Sequence, residues 1–523
     1  MALRGAVATS HPLAAAAGLE MMRRGGNAAD AAVAAAATLA VVEPMSTGLG
    51  GDGFALVFDP RIRQVRALNA SGRAPAAAGL EAFRRLGLDQ MPLYGPLSVT
   101  VPGVVDGWAA LLEAYGTMTF REVLEPAVGY ARDGFAVTEV VARAWRMAAP
   151  RLAGHPETAR VYLPGGEPPR AGQVFRQPDL ARTLEAIARH GRDAFYDGEV
   201  AGAIARCVQR EGGLLTVDDL RENRPDWEEP IWVEYRGCRV YECRPNGQGL
   251  IALLALNMLG LEDVAALGFN SPAYWHLAIE AVKLAFADGL AYIADPRHAS
   301  IPVEGLLSPG YARRRRALIQ ADRAIAAPSH GHPQEGDTVY LTAVDGDGLA
   351  VSLINSLYHG FGSGIVAPGT GVCLQNRGAL FRLDPNHPNV VAPGKRPYHT
   401  IIPAMVTRDD ALLMSYGVMG GFMQPQGHVQ VLVNILDFGM TVQEALDAPR
   451  FRYVDGRRVL LEPGLDDLVG EHLRRLGHDA VVPEPGSADY FGFGGGQVIL
   501  RDPATGVLHA ASEPRKDGQA VAF

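Results

Sequence analysis

The chain of 523 residues carries 48 Lys and Arg against 57 Asp and Glu, a net charge of −9 without long blocks of either sign, which excludes a polybasic face for nucleic acid. Its four cysteines, Cys207, Cys238, Cys243 and Cys373, are too few and too irregularly spaced for a disulfide framework or a zinc site, and read as small buried hydrophobes. No apolar run is long enough to cross a bilayer, and the segment from Met1 to Ala8 has no charged start before a long apolar stretch, so a cytoplasmic protein is expected.

A chain this long buries a large core, as two or three domains or as one α/β body. The first half is Ala-rich and helical. Asn27 to Val42 reads as a tightly packed helix with Asn27 as its cap, and its small side chains let other elements approach closely. The glycines of Gly48-Leu49-Gly50-Gly51-Asp52-Gly53 follow, then a strand from Phe54 to Phe58. Helix, glycine loop, strand is the reverse of the order a dinucleotide fingerprint requires. Further helices are predicted at Gly107 to Tyr115, Phe120 to Asp133, Gln177 to His190 and Ser271 to Asp288. The run Arg313 to Arg316 reads as the solvated surface of a helix.

Asp322 to Gly336 has the composition of an exposed, mobile linker. Beyond it the pattern turns to strands. Val339 to Val344 and Leu349 to Ile354 are joined by the hairpin turn Asp345-Gly346-Asp347-Gly348. Strands are predicted at Ala411 to Gly417 and Gln497 to Arg501, and helices at Gln424 to Phe438 and Thr441 to Leu446, the second opened by a Thr441/Glu444 capping box. A cut before Thr338 would leave a strand that begins with a hydroxyl and a free α-amine on one residue, a nucleophile and a base together. Read alone, the pattern is weak, because most threonines at a strand start are simply strand formers.

With these signals placed, the whole chain from Gly5 to Phe523 resembles the γ-glutamyltransferase (glutathione hydrolase) family. The resemblance is carried by Gly25-Gly26-Asn27-Ala28-Ala29-Asp30-Ala31, Thr47-Gly48-Leu49-Gly50-Gly51 and Val101-Pro102-Gly103-Val104-Val105-Asp106-Gly107-Trp108. Ala131-Arg132-Asp133-Gly134-Phe135, Phe195-Tyr196-Asp197-Gly198, Gly394-Lys395-Arg396-Pro397, Gly420-Gly421 and Ala448-Pro449-Arg450-Phe451 continue it in order. It implies an α/β (α+β) fold of four layers, αββα, made as a precursor that cleaves itself. The cut would fall between Asp337 and Thr338, giving a large subunit, 1–337, with its linker at about 322–337, and a small subunit, 338–523. The resemblance also implies Thr338 as nucleophile, the N–H groups of Gly420 and Gly421 as oxyanion hole, and Ser356, where the family often has Thr, as the residue that orients the nucleophile. Ser356 also reads as an ordinary serine at a strand end.

Typical members grip a γ-glutamyl zwitterion, and here those positions depart. The usual Arg before Ala-Pro falls at Ser71, with Arg73 displaced along the loop; Tyr358 stands where Asn is common; the amine-binding Gln and Asp become Arg377 and Leu380; a Ser-Ser pair becomes His399-Thr400. The pocket has exchanged an anion for a cation. Arg377 and Arg73 can clamp a carboxylate, while Leu380 cannot pair with an ammonium group. Asn376-Arg377-Gly378, Pro245-Asn246-Gly247-Gln248-Gly249 and Met423-Gln424-Pro425-Gln426-Gly427-His428 look like the acylase-like branch, which acts on glutaryl-type amides and oxamate. Substrate contacts are therefore expected from Arg73, Tyr358, Arg377, His399 and Thr400.

The expected activity is γ-glutamyl-type amide cleavage, with an acylase for another carboxylate-bearing amide as the alternative and a non-processing scaffold that binds small acids as the rival of another class. Hydrolysis is favoured over transfer, because the segment from Phe381 to Lys395 is too short for the lid of some members. No cofactor is implied, and the spacing of His399 and His428 has no metal-ligand logic. Gly492 to Gly496 reads as a tight turn near the site rather than a phosphate loop. The partners implied are a small amide substrate and the two subunits of one precursor, with no nucleic acid and no membrane; pairing of two processed heterodimers is left open.

Overall fold

The computed structural model describes residues 1–326 and 337–523. Among them, thirteen strands build two stacked sheets: β1 (Gly5–Thr9), β2 (Asp52–Asp59), β3 (Gln64–Ala70), β4 (Asp226–Glu228), β5 (Ile231–Tyr235), β6 (Cys238–Glu242), β7 (Asp337–Asp345), β8 (Ala350–Tyr358), β9 (Ala404–Arg408), β10 (Ala411–Met419), β11 (Gly495–Arg501), β12 (Leu508–Ser512) and β13 (Gln519–Ala522). One sheet runs β13-β1-β7-β8-β2-β3-β4 and the other β12-β11-β10-β9-β6-β5, every pairing antiparallel. Strands from before and after position 338 share both sheets. The body is therefore continuous across the expected cut.

Helices close both outer faces. On the first sheet lie α1 (Pro12–Arg23), α2 (Ala28–Val42), α3 (Val104–Tyr115) and α4 (Phe120–Asp133); on the second lie α5 (Gly249–Leu259), α6 (Pro272–Tyr292), α7 (Met423–Leu436) and α8 (Val442–Asp447). This is the expected αββα stack, with three apolar layers between four structural ones. The layer between the sheets holds Phe54, Tyr340, Ile354, Met405, Met419 and Ile499. Helix α2 is buried all round, and Asn27 caps it within a reciprocal box with Asp30. The Thr441/Glu444 box is formed as well. All four cysteines are buried and unbridged, as expected.

Two expectations are refined. The arginine run lies on a helix, Pro309–Arg316, but is not all solvated, since Arg315 pairs with Asp288 at 2.9 Å and Arg316 with Glu262 at 2.8 Å. The start of the expected linker is anchored, because the Ala324 N–H donates to the Leu476 carbonyl and the Ile325 N–H to Glu280. The remainder of that segment, 327–336, lies outside the described residues. Among the described residues no helix is long and apolar enough to cross a membrane.

Candidate active site

The two central strands of the first sheet carry the site. Along β7 and β8, Asn355 pairs with Val339 and Tyr358 with Asp337, so β8 takes three steps where β7 takes two. The extra residue is a bulge, a device that re-aims side chains. It brings the Ser356 hydroxyl to 3.3 Å from Oγ1 of Thr338. Ser356 also accepts the Tyr358 N–H at 2.8 Å, which fixes its rotamer. Thr338 is 1% exposed, and its Oγ1 further accepts from Gln424 Nε2 at 3.4 Å. Both contacts to the hydroxyl are long, as is common before a substrate tightens such a site.

The glycine-rich loop before β2 packs directly against β8. A Cβ on Gly51 would meet the Ser356 carbonyl at 2.5 Å, so only glycine lets the loop pass there. Gly420 and Gly421 link β10 to α7 with φ of +120° and +56°. Their carbonyls accept from Met423, Gln424 and Gln248, whereas no acceptor takes either N–H among the described residues. Gly494 packs against Gly420, consistent with a tight turn beside the site.

Arg377 is fully buried. Nη1 donates to Thr400 Oγ1 at 2.6 Å, and the guanidinium lies over the Tyr358 ring with its carbon 4.6 Å from the centroid. Among the described residues Nε and Nη2 have no hydrogen-bond partner and no carboxylate pairs with this side chain. Burial pulls its pKa down to about 10, still well above neutrality. A buried cation with two unused donors is costly unless a ligand completes it.

His399 is placed differently from expectation. It stands behind Arg377, its Nε2 3.0 Å from Asp52 Oδ2 and its Nδ1 accepting from Ile401, and burial together with the Arg377 charge lowers its pKa to about 3. The imidazole is neutral and orients Asp52. That carboxylate also accepts from Gly72 N–H at 2.8 Å and Gln375 Nε2 at 2.9 Å, so its oxygens are occupied. Arg73 is not drawn into this cluster. Its guanidinium bonds Asp226 at 3.1 Å and the Gly394 carbonyl at 3.3 Å, in an ion network with Arg396 and Asp295. Contacts thus link Thr338, Ser356, Tyr358, Arg377 and Thr400 in the structure, while His399 lies against Asp52 and Arg73 lies in the ion network with Asp226 and Asp295. Gln424 and Gln248 stand out in the sequence only as members of the segments Met423 to His428 and Pro245 to Gly249.

His428 pairs with Glu242 at 2.7 Å inside the second layer. Elsewhere His276, Glu280 and His478 lie close enough together to suggest metal ligands, but the Lys283 ammonium already sits 2.7 Å from Glu280 and 3.2 Å from His478. That ammonium supplies the positive charge such a cluster needs.

Comparison with known proteins agrees with this architecture. The gamma-glutamyltranspeptidase family model matches residues 14–523. The chain is 39% identical to the glutathione hydrolase-like YwrD proenzyme of Bacillus subtilis, over 98% of each chain. It is 38% identical to the oxamate amidohydrolase proenzyme of Klebsiella pneumoniae, over 99% of this chain and 98% of that one. The crystal structure of a cephalosporin acylase from Bacillus halodurans superposes with a TM-score of 0.92 at 45% identity, covering all of this chain and 96% of that one. Fold, motif order and overall likeness lead to one conclusion: the chain belongs to the gamma-glutamyltranspeptidase family of N-terminal-nucleophile hydrolases.

Proposed function

We propose that this protein cuts itself between Asp337 and Thr338 and then hydrolyses amides whose acyl group carries a free carboxylate, without requiring an α-amine on that group. The observation that carries the substrate class is the buried Arg377, with Nε and Nη2 unpaired beside Thr400. In the family's zwitterion pocket an acid holds the α-amine. Here Leu380 has replaced it, and the nearby Asp52 is already taken by Gly72, Gln375 and His399.

Each step follows from these groups. Thr338 Oγ1 attacks the Asp337 carbonyl, the C–N bond breaks in favour of an ester, and water hydrolyses the ester to free the Asp337 carboxylate and the Thr338 amine. On substrate, Oγ1 attacks the amide carbon and gives its proton to that amine. The Gly420 and Gly421 N–H groups, at the start of α7, take the oxyanion. The C–N bond then breaks, the proton passes from the ammonium to the leaving amine, and water releases the acid from the acyl-enzyme. The short segment after Phe381 favours water over an amine acceptor at that step.

The test is a series of 4-nitroanilides with glutaryl, γ-glutamyl, oxamyl and butyryl acyl groups, on wild type and Arg377→Ala. The reading expects glutaryl to be cleaved at least as fast as γ-glutamyl, and carboxylate-bearing substrates to lose far more than butyryl in the variant. Equal kinetics on γ-glutamyl and glutaryl anilides, unchanged by Arg377→Ala, would contradict it.

A further inference from the structure

Three segments meet behind the site. Asn246 to Gln248 lead into α5, Tyr398 to Ile402 lead into β9, and Gly420 to Phe422 join β10 to α7. The second segment holds the carboxylate clamp, because Thr400 Oγ1 accepts from Arg377. The third carries the two N–H groups assigned to the oxyanion. The first carries neither, yet its Gln248 bonds to both of the others. Gln248 Nε2 donates to the Thr400 carbonyl at 2.6 Å and to the Gly421 carbonyl at 2.9 Å, and its Oε1 accepts from the Tyr398 hydroxyl at 2.9 Å. The side chain is fully buried. Chemistry settles the orientation of its amide, since turned over its oxygen would face two carbonyl oxygens.

The tie is stiff at each joint. The Gln248 N–H donates to the His399 carbonyl and the His399 N–H to the Asn246 carbonyl, both at 2.9 Å, so the backbone is fixed along with the side chain. Tyr398 stacks on Phe422, ring centroids 5.8 Å apart and planes 27° apart. Gln424 joins the same two segments a second time, its Oε1 accepting the Ile402 N–H at 2.9 Å while its Nε2 reaches Thr338 Oγ1. The Gly421 carbonyl already accepts the Gln424 N–H at 3.2 Å. Gln248 is therefore not needed to satisfy that carbonyl; what it adds is a link from the oxyanion loop to the clamp.

We infer that Gln248 is a positioning residue that fixes the distance from the carboxylate clamp to the oxyanion hole, and so selects acyl groups of one chain length. A substrate whose carboxylate is held at Arg377 presents its carbonyl oxygen to Gly420 and Gly421 only when the methylenes between them match that distance. A chain one carbon short or long must give up part of one contact, and the transition state carries the loss. Gln248 acts through the two groups it holds. The inference rests on the acyl-group reading above, since without a carboxylate at Arg377 there is no distance to measure.

The experiment assays the mono-4-nitroanilides of malonic, succinic, glutaric and adipic acids, with butyryl-4-nitroanilide as the neutral reference. Wild type is compared with Gln248→Met, which keeps the volume without the donors, and Gln248→Asn, which keeps the amide but shortens its reach. Gln430→Met is the control: Gln430 is as deeply placed in α7 and bridges the Gln426 and Phe451 carbonyls, but bonds to neither the clamp nor the oxyanion loop. Wild type is expected to favour one length about ten-fold or more over its neighbours in kcat/KM. In either Gln248 variant that preference should fall below about three-fold, through a loss of about 10- to 100-fold in kcat for the best substrate, its KM changing less than about three-fold. Gln430→Met should keep the wild-type preference even where its thermal midpoint falls. A wild type that prefers the diacid anilides to butyryl but cleaves all four lengths alike overturns the inference and leaves the acyl-group reading standing. So does a preference that survives in both Gln248 variants, or one that Gln430→Met abolishes equally. A wild type that cleaves butyryl as well as the best diacid anilide rejects the acyl-group reading, and the inference with it.

Discussion

Arg377 lies over the ring of Tyr358, and the two explain one another. Tyr358 is held at a φ of +82°, a conformation a tyrosine rarely adopts, directly after the bulge that carries Ser356. The arginine covers its ring and, through Thr400, is tied to the segment that leads to β9. The nucleophile's neighbour and the proposed carboxylate clamp thus share one rigid support.

Replacing Arg377 should separate binding from folding. Arg377→Met is expected to keep or raise the thermal midpoint, because a buried cation without a carboxylate stabilises little. It should lower kcat/KM for carboxylate-bearing amides about 100-fold or more. Arg377→Lys should recover little of it, since an ammonium cannot reproduce the planar fork over the ring. Thermal unfolding and steady-state kinetics on the purified variants check both halves.

Ser356 is expected to act chiefly through the nucleophile. Ser356→Ala removes the hydroxyl 3.3 Å from Thr338 Oγ1 and leaves the Tyr358 N–H without its acceptor. Slower self-cleavage and about a 10- to 100-fold loss of kcat should follow, while Ser356→Thr retains both. Time courses of cleavage on denaturing gels, followed by kinetics on the cut protein, give the result.

At Gly420 the backbone conformation itself is the requirement. A φ of +120° belongs to glycine, and an added Cβ would stand 3.1 Å from Gly494 Cα. Gly420→Ala should cost about 1–3 kcal/mol of stability and about 100- to 1,000-fold in kcat by misaligning an oxyanion donor. A mutant of near wild-type rate would remove Gly420 from the oxyanion hole.

Acid should destabilise the fold through its buried histidines. Burial lowers His11 to about 4, His359 and His399 to about 3 and His478 to about 2, with the charges of Arg151 and Arg377 helping at His359, Arg377 at His399 and Lys283 at His478. Their unfolded values lie near 6.5. A histidine held neutral in the fold takes up no proton where the unfolded chain does. Its contribution is therefore complete above about pH 6.5 and is lost as pH falls below it, by up to about 1.4 kcal/mol per pH unit for each. The thermal midpoint should be flat from pH 8 to 7 and drop increasingly steeply from 6.5 to 5. His478→Gln should flatten that fall by about one proton; a midpoint unchanged down to pH 5 would refute the account of these histidines.

Much of this was legible in the sequence, because local chemistry decided it. The caps at Asn27 and Thr441, the Asp-Gly turn at Asp345 to Gly348 and the long helix after Ser271 all form where their side chains direct. Strand β1 escapes the sequence pattern for a physical reason. Gly5 to Thr9 are buried throughout and lie between β7 and β13, so the segment lacks the alternation that marks a half-exposed strand. Arg73 looked like a ligand group by its place in the loop, yet its neighbours Asp226 and Asp295 lie far along the chain, and only the fold brings them together. Gln424 likewise gains meaning only once the first turn of α7 is set against the start of β7.

The central claim is that Thr338 becomes the N-terminal residue and the nucleophile. Intact mass spectrometry of freshly purified protein, beside Thr338→Ala, tests it most directly. The account predicts two fragments, 1–337 and 338–523, whose masses sum to that of the 55.7 kDa chain plus one water, with the control uncut. A single 55.7 kDa species that survives long incubation in the wild type would contradict it and favour a protein that binds small acids without turning them over.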